Sequence, residues 1–251
     1  DYKELILVAN PLKADSENVE QIIKHAKNTD LIIAFGSGTI NDLCKYASYN
    51  LNIDYIVIAS APSMNGYISS NASITINNFK KSLAAKFPIA AFFDLNILAK
   101  APLKLIQAGL GDSLARSTAQ ADWKLSHLLL DTEYDPLPFE LLQESEKSLL
   151  QNAAKLPARD PQAILSLTIN LILSGFGMYL SSGSYPASQA EHLISHLYNM
   201  LDSNNPQHNL HGEEIAVTSY YMAKLQENIL SQDAAPLIKE KFPKARFFKK
   251  V

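Results

Sequence analysis

Apolar residues in the first third of the chain recur with two alternating periods. Leu5 to Ala9 is a short apolar run, and Val19 to Ala26 carries apolar residues at helical spacing. Leu31 to Phe35 is again a short run rich in branched residues, followed by a helical pattern over Ile40 to Ala47. Tyr55 to Ala59 and Ile89 to Phe93 add two further strand-like runs. Short strands rich in Ile, Val and Leu with helical patterns between them predict βαβ units and a parallel sheet. From Asp94 onward the strand signals stop, and long helical patterns cover Leu103 to Leu130, Phe139 to Asn152, Ala163 to Met178, Ala187 to Leu201 and Glu213 to Leu230. Pro136, Pro138, Pro157, Pro161, Pro186 and Pro206 fall between or at the ends of these stretches, where proline removes no internal helical hydrogen bond. The pattern predicts an α/β nucleotide-binding domain over residues 1–94 and an all-α domain over 95–251.

One helical stretch is apolar enough to raise a second reading. No Asp, Glu, Lys or Arg occurs from Pro161 to Ala190, so Ala163 to Leu180 is long enough for a membrane span. Ser166, Thr168, Asn170 and Ser174 interrupt it, Gly175 and Gly177 lie near its end, and no basic cluster flanks it, which favours a buried core helix. Composition narrows the function classes. The 251 residues carry 22 basic and 25 acidic side chains, a net charge of -3, so no basic field is available to neutralise nucleic-acid phosphates. The single Cys44 cannot form an internal disulfide, which fits a reducing compartment. The opening residues Asp1, Lys3 and Glu4 do not resemble a signal peptide, and the expectation is a cytoplasmic protein.

Six of the nine glycines fall in pairs two residues apart: Gly36/Gly38, Gly109/Gly111 and Gly175/Gly177. The first pair stands between a predicted strand and a predicted helix, in Phe35-Gly36-Ser37-Gly38-Thr39-Ile40-Asn41-Asp42. That order turns backbone N–H groups and a helix dipole toward a phosphate. It also fits a plain tight turn with Thr39 as the helix cap, because Asn41 stands where a third glycine would complete the dinucleotide fingerprint. If it is a cradle, Gly38→Val would block it, through bulk and through a positive φ at Gly38.

Four of the six histidines, His192, His196, His208 and His211, lie within 20 residues. His192 and His196 share a helical face, and His211 opens the next segment, so His192 and His211 meet if the two helices pack. Two imidazoles and a carboxylate suit a divalent ion with an open coordination position. Asp112, in Gly109-Leu110-Gly111-Asp112, is the candidate acid because small residues let another segment come close. The other reading makes these histidines surface or capping residues. The loop Ser60 to Ser70 follows a predicted strand and is dense in hydroxyls, suited either to a phosphate or polyol ligand or to a plain surface turn.

Taken in order, Gly36-Ser37-Gly38-Thr39-Ile40-Asn41-Asp42, Ala61-Pro62-Ser63-Met64-Asn65-Gly66, Ala101-Pro102, Ala108-Gly109-Leu110-Gly111-Asp112, Ala121-Asp122-Trp123, Ser182-Gly183-Ser184, Glu191-His192 and His211-Gly212 resemble one family. It is the iron-containing alcohol dehydrogenase and dehydroquinate synthase-like superfamily, and within it the sn-glycerol-1-phosphate dehydrogenase branch. The resemblance implies an active site in the cleft between the two domains. It implies a divalent metal, Zn2+ before Ni2+ or Fe2+, on Asp112, His192 and His211. It implies an NAD or NADP site at Gly36, Ser37, Gly38, Thr39, Asn41 and Asp42 with Ser60, Ser63 and Ser69, and substrate contacts at Asn65 and His196. The implied reaction interconverts dihydroxyacetone phosphate and sn-glycerol 1-phosphate, with a small phosphorylated polyol or ketone as partner, no nucleic acid, no membrane span, and a homo-oligomer as an option.

Three departures from the family pattern stand out. Asn65 occupies a position that is usually Asp, and Ser37 replaces the second glycine of a triple-glycine loop. The family's opening strands, with the acid that holds the adenosine ribose, would precede Asp1, and the helical domain would continue beyond Val251. Two alternatives therefore stay open: a glycerol dehydrogenase acting on an unphosphorylated polyol, and a non-catalytic remnant of the fold. Neither Lys104 nor Arg116 can be assigned from sequence to the substrate phosphate that would separate the two enzymes.

Overall fold

The computed structural model describes residues 2–8, 12–77, 79–201 and 209–231. Strands β1 (Leu31–Gly36), β2 (Asp54–Ala59) and β5 (Ala90–Phe92) form a parallel sheet in the order β1-β2-β5, with Leu31 opposite Asp54 and Ile58 opposite Phe92. Helix α2 (Gly38–Leu51) is the crossover from β1 to β2, and with α1 (Ser16–His25), which precedes β1, it buries Val19, Ile22, Leu43 and Ala47 in the same core as Tyr55 and Val57. Asp15 caps α1 by accepting from Asn18 N at 3.0 Å, satisfying a first-turn donor. Only one face of β1 is covered: Ile32 and Ala34 are buried, whereas Ile33 and Phe35 are 59% and 61% exposed.

The run predicted as a strand over Leu5 to Ala9 is not one in its described part. Leu5 and Leu7 pack on the core while Ile6 and Val8 are exposed, so the two-residue alternation survives, but none of residues 2–8 joins a ladder. Ala9 lies outside the described residues. The structure also contains an antiparallel hairpin that the pattern reading passes over, β3 (Asn71–Ile76) and β4 (Phe79–Ala84). Its signal is the alternation of buried Ala72 and Ile74 with polar Ser73 and Thr75, followed by Asn77 in the left-handed region at φ 52°.

Beyond α3 (Leu95–Lys100), capped by Asp94, the chain is helical: α4 (Leu103–Leu130), α5 (Leu137–Asn152), α6 (Pro161–Leu180), α7 (Ala190–Leu201) and α8 (His211–Leu230). All five overlap the helices read from the sequence. The predicted start of α7 at Ala187 moves to Ala190, because Ser184 to Gln189 form a turn. Pro206 lies outside the described residues. Helix α6 meets the length and apolarity of a membrane span, yet 61% of its most apolar stretch is buried inside the protein. Ala163, Ile164 and Leu167 are fully enclosed, and its polar groups find internal partners: Thr168 donates to Ile164 O at 2.7 Å, and Ser166 pairs with Ser148 at 2.9 Å. A helix apolar on all sides is what the centre of a helical packing requires.

Candidate active site

The site begins where glycine lets backbones touch. A methyl group on Gly111 of α4 would lie 2.0 Å from the Gly212 carbonyl oxygen, and one on Gly212 of α8 would lie 1.8 Å from Ala108 O. On the same helix, Gly109 faces Pro62 O at 1.8 Å by the same measure, which seats the Ser60–Ser70 loop against α4. Neither α4–α8 nor α4–loop packing tolerates a Cβ at these points. Asp112 and His211, each one residue from such a contact, are brought together as a result.

Asp112 is 1% exposed. Its Oδ2 accepts from Asn65 N at 2.8 Å, and its Oδ1 is buried without a hydrogen bond among the described residues. That oxygen lies 3.7 Å from His192 Nε2 and 3.7 Å from His211 Nε2. One ligand atom each from Asp112, His192 and His211 falls within a 4.8 Å cluster. Glu191 orients His192: its Oε1 faces His192 Nδ1 at 2.9 Å, leaving Nε2 turned to Asp112, and the carboxylate is itself held by Gln189 N at 2.8 Å and Thr118 Oγ1 at 3.2 Å. A carboxylate behind a ring nitrogen fixes the tautomer a metal ligand needs.

Burial and the neighbouring charges pull the three histidines in different directions. Burial works to lower the pKa of His192, but Asp112 and Glu191 outweigh it and raise it. Burial, with Lys80 and His192 nearby, holds His211 well below the ordinary histidine value. His196 is pushed down to about 4 by burial and then by Lys80 and His192. His196 stands 6.4 Å, ring to ring, from both His192 and His211, beside the cluster rather than in it. An orphaned carboxylate oxygen facing two imidazole nitrogens fits a divalent borderline ion. His208, the fourth member of the histidine cluster, lies outside the described residues.

A cavity of about 450 Å³ opens from this cluster to the first βα turn, within the range of a small-molecule site. Of the residues expected around a dinucleotide, Ser37, Gly38, Thr39, Asp42, Ser63 and Ser69 line it, as do Asn65 and His196. Gly36, Asn41 and Ser60 do not. Gly36 ends β1, where its carbonyl accepts from Ser60 N at 2.9 Å, and Asn41 is fully buried beneath the turn, donating to Asp42 Oδ1 at 3.3 Å. Two expectations about the turn need correction. Ser37, not Thr39, is the N-cap residue of α2. No described glycine has a positive φ, so a side chain at Gly38 meets a packing obstacle rather than backbone strain: Met64 Sδ would lie 2.7 Å from its Cβ.

Residues 4–102 match the iron-containing alcohol dehydrogenase family. Over 220 residues, 86% of this chain and 55% of its relative, the sequence is 37% identical to a glycerol-1-phosphate dehydrogenase [NAD(P)+] of Halalkalibacterium halodurans. It is 34% identical to the enzyme of that name from Thermococcus sibiricus, over 89% of this chain and 64% of the relative. These matches make the chain similar to glycerol-1-phosphate dehydrogenases of the iron-containing alcohol dehydrogenase superfamily. In fold it is similar to a probable glycerol dehydrogenase from Sinorhizobium meliloti, with a TM-score of 0.72 at 18% identity over 90% of this chain and 64% of that one. The chain thus spans between about half and two thirds of the relatives it matches.

Two charged residues escape a reading of spacing. Lys45 of α2 is fully buried, with its ammonium bonded to Gly66 O, to Ser69 Oγ at 3.2 Å and to Asn71 O at 3.1 Å. Burial lowers its pKa to about 8 against the pull of Asp42. It therefore ties the Ser60–Ser70 loop and the hairpin to α2, and Ser69 is one of its partners. Lys80 of β4 reaches the cavity. The sequence signal for Lys45 is only its place on the apolar face of α2, and Lys80 shows none until the hairpin register is known.

Proposed function

We propose that the chain carries the active site of a metal-dependent, NAD(P)-linked oxidoreductase that interconverts dihydroxyacetone phosphate and sn-glycerol 1-phosphate. The observation that carries this reading is the convergence of Asp112, His192 and His211 within 4.8 Å, in a chain 37% identical to an enzyme of that name. We assign residues 1–94 to nucleotide binding and 95–251 to the helical part, with the cavity between them. Asp112, His192 and His211 hold the divalent ion, for which we choose Zn2+ over Ni2+ and Fe2+. When bound, the ion supplies Lewis acidity to the substrate oxygen and the nicotinamide supplies or accepts the hydride.

The chain's own groups do the rest. Ser37, Gly38 and Thr39 present the N-terminus of α2 to a cofactor phosphate, with Gly36, Asn41, Asp42 and Ser60 shaping the turn and Ser63 and Ser69 facing it across the cavity. Asn65 holds Asp112 through its backbone and offers its side-chain amide to the substrate. His196, neutral near pH 7 because its pKa is depressed to about 4, donates or accepts a hydrogen bond at a substrate hydroxyl. Glu191 keeps His192 in the ligating tautomer.

The test is cofactor oxidation with dihydroxyacetone phosphate and, separately, dihydroxyacetone, after chelation and after adding Zn2+ or Ni2+. Turnover of the phosphate ester, abolished by chelator and restored by metal, is expected. A preference for unphosphorylated dihydroxyacetone would reassign the chain to the glycerol dehydrogenase reading. Silence toward both from folded, metal-saturated protein would remove the dehydrogenase reading altogether.

A further inference from the structure

The β3–β4 hairpin has two faces of different character. Ala72 and Ile74 point into the core, whereas Ser73, Thr75, Lys80 and Ser82 all line the cavity. Register explains this: Thr75 pairs with Lys80 and Ser73 with Ser82, so the four side chains form one patch of two cross-strand pairs. Lys80 makes no hydrogen bond or ion pair among the described residues, although Asp42, Asp112 and Glu214 are close enough to influence it. Each of those acids is already engaged. Asp42 accepts from Ser73 N at 3.1 Å, Asp112 from Asn65 N at 2.8 Å, and Glu214 from Ser195 Oγ at 2.7 Å and Asn199 Nδ2 at 2.6 Å. The Ser73 hydroxyl is buried and has no partner among the described residues.

An ammonium with free donors beside hydroxyls on a rigid hairpin is a seat for an anion rich in acceptor oxygens. Lys80 lines the same cavity as His192, His196 and His211. The basic residues considered from sequence serve elsewhere: Lys104 pairs with Glu213 at 3.3 Å, and Arg116 pairs with Glu146 at 3.0 Å and lies over the Phe139 ring. We propose that Lys80, with the hydroxyls of Ser73 and Thr75, seats the phosphate of a three-carbon phosphate ester whose reacting carbon faces Asp112, His192 and His211. The inference rests on the dehydrogenase reading above and makes Lys80 the residue that selects the phosphorylated substrate.

The test is calorimetric titration of zinc-loaded protein with sn-glycerol 1-phosphate and with glycerol, alongside NADH binding followed by fluorescence, in wild type, Lys80→Met and Lys80→Arg. The methionine variant should bind the ester about 10- to 100-fold more weakly, the range set by one charge-assisted hydrogen bond, and the arginine variant should recover most of that loss. Circular dichroism checks that both fold. If wild type prefers the ester and Lys80→Met binds it equally well, the assignment of Lys80 falls while the dehydrogenase reading stands. If wild type binds glycerol as tightly as the ester, both fall. If Lys80→Met loses NADH as strongly as it loses the ester, the ammonium serves the cofactor and the inference is overturned.

Discussion

Gly111→Ala tests whether the α4–α8 approach builds the metal site. The added carbon would lie 2.0 Å from Gly212 O and 3.0 Å from Ala216 Cβ. Carbon and carbonyl oxygen tolerate contact down to roughly 3.3 Å, so one helix must retreat by about 1.3 Å. Neither obstacle is the flexible end of a side chain. Overpacking of this kind costs about 1–3 kcal/mol. Alanine returns about 0.5–1 kcal/mol of that through its helix propensity, and no φ penalty offsets the return because Gly111 is not in the left-handed region. The net loss is then at most about 2.5 kcal/mol, or up to about 10 °C in Tm for a protein of this size.

The larger effect falls on the metal. Ligand distances are held to about ±0.2 Å, several times less than the displacement, and Asp112 and His211 flank the contact on opposite helices. Thermal unfolding of chelated protein, then of protein with increasing Zn2+, reads both consequences. Free zinc at a hundred times its Kd stabilises wild type by about 2.7 kcal/mol, and Gly111→Ala should lose most of that increment. Gly183→Ala is the control, since its added carbon meets only the ring of Tyr185, which is 52% exposed and can swing aside. A Gly111→Ala protein with wild-type Tm and an undiminished zinc shift would refute the packing argument.

Glu191→Gln leaves an oxygen near His192 Nδ1 but removes the charge behind it, so zinc affinity in competition with a chelator should fall about tenfold, with the circular dichroism spectrum unchanged. Unchanged affinity would mean that Glu191 does not tune His192. Lys45→Met strips a donor from Gly66 O, Ser69 Oγ and Asn71 O and removes the stronger of Asp42's two cationic neighbours, leaving Lys80. Breaking such a buried charged network should cost about 3–5 kcal/mol in urea unfolding, and a loss under about 1 kcal/mol would show that Lys45 is not the tie described.

What the sequence disclosed follows from the range of each signal. Periodicity is local, so the parallel strands at Leu31 and Tyr55 and the helix Leu103–Leu130 are legible, the last to its end residues. The histidine cluster is legible because His192 and His196 are one helical turn apart and His211 opens the next helix. Asp112 needed more, since its meeting with His211 depends on Gly111 and Gly212 touching across a hundred residues. The hairpin eluded a pattern reading because its strands are half polar, and with it went Lys80, whose direction is set by cross-strand register rather than by its neighbours in sequence. Leu5 to Val8 failed in the opposite way: the alternation is real, but a strand also requires a partner, which no local pattern supplies.

Asn65 bears on the balance between these features. The resemblance to the family implies an acid at this position, and the amide in its place raises the question of whether the cavity still works. The contact that builds the site survives, because Asp112 Oδ2 is held by the backbone N–H of residue 65, which an amide and an acid present alike. What changes is charge. The cavity already contains Asp42 and Asp112 in its wall and Glu214 close to Lys80. A further carboxylate would repel a phosphate by about 2 kcal/mol per unit charge at roughly 8 Å and an effective dielectric of about 20. An amide avoids that repulsion while keeping a donor and an acceptor for a hydroxyl. With Lys80 supplying the positive charge and Asn65 withholding a negative one, the departure from the family pattern is consistent with a cavity suited to a phosphorylated substrate and gives no reason to regard the site as defunct.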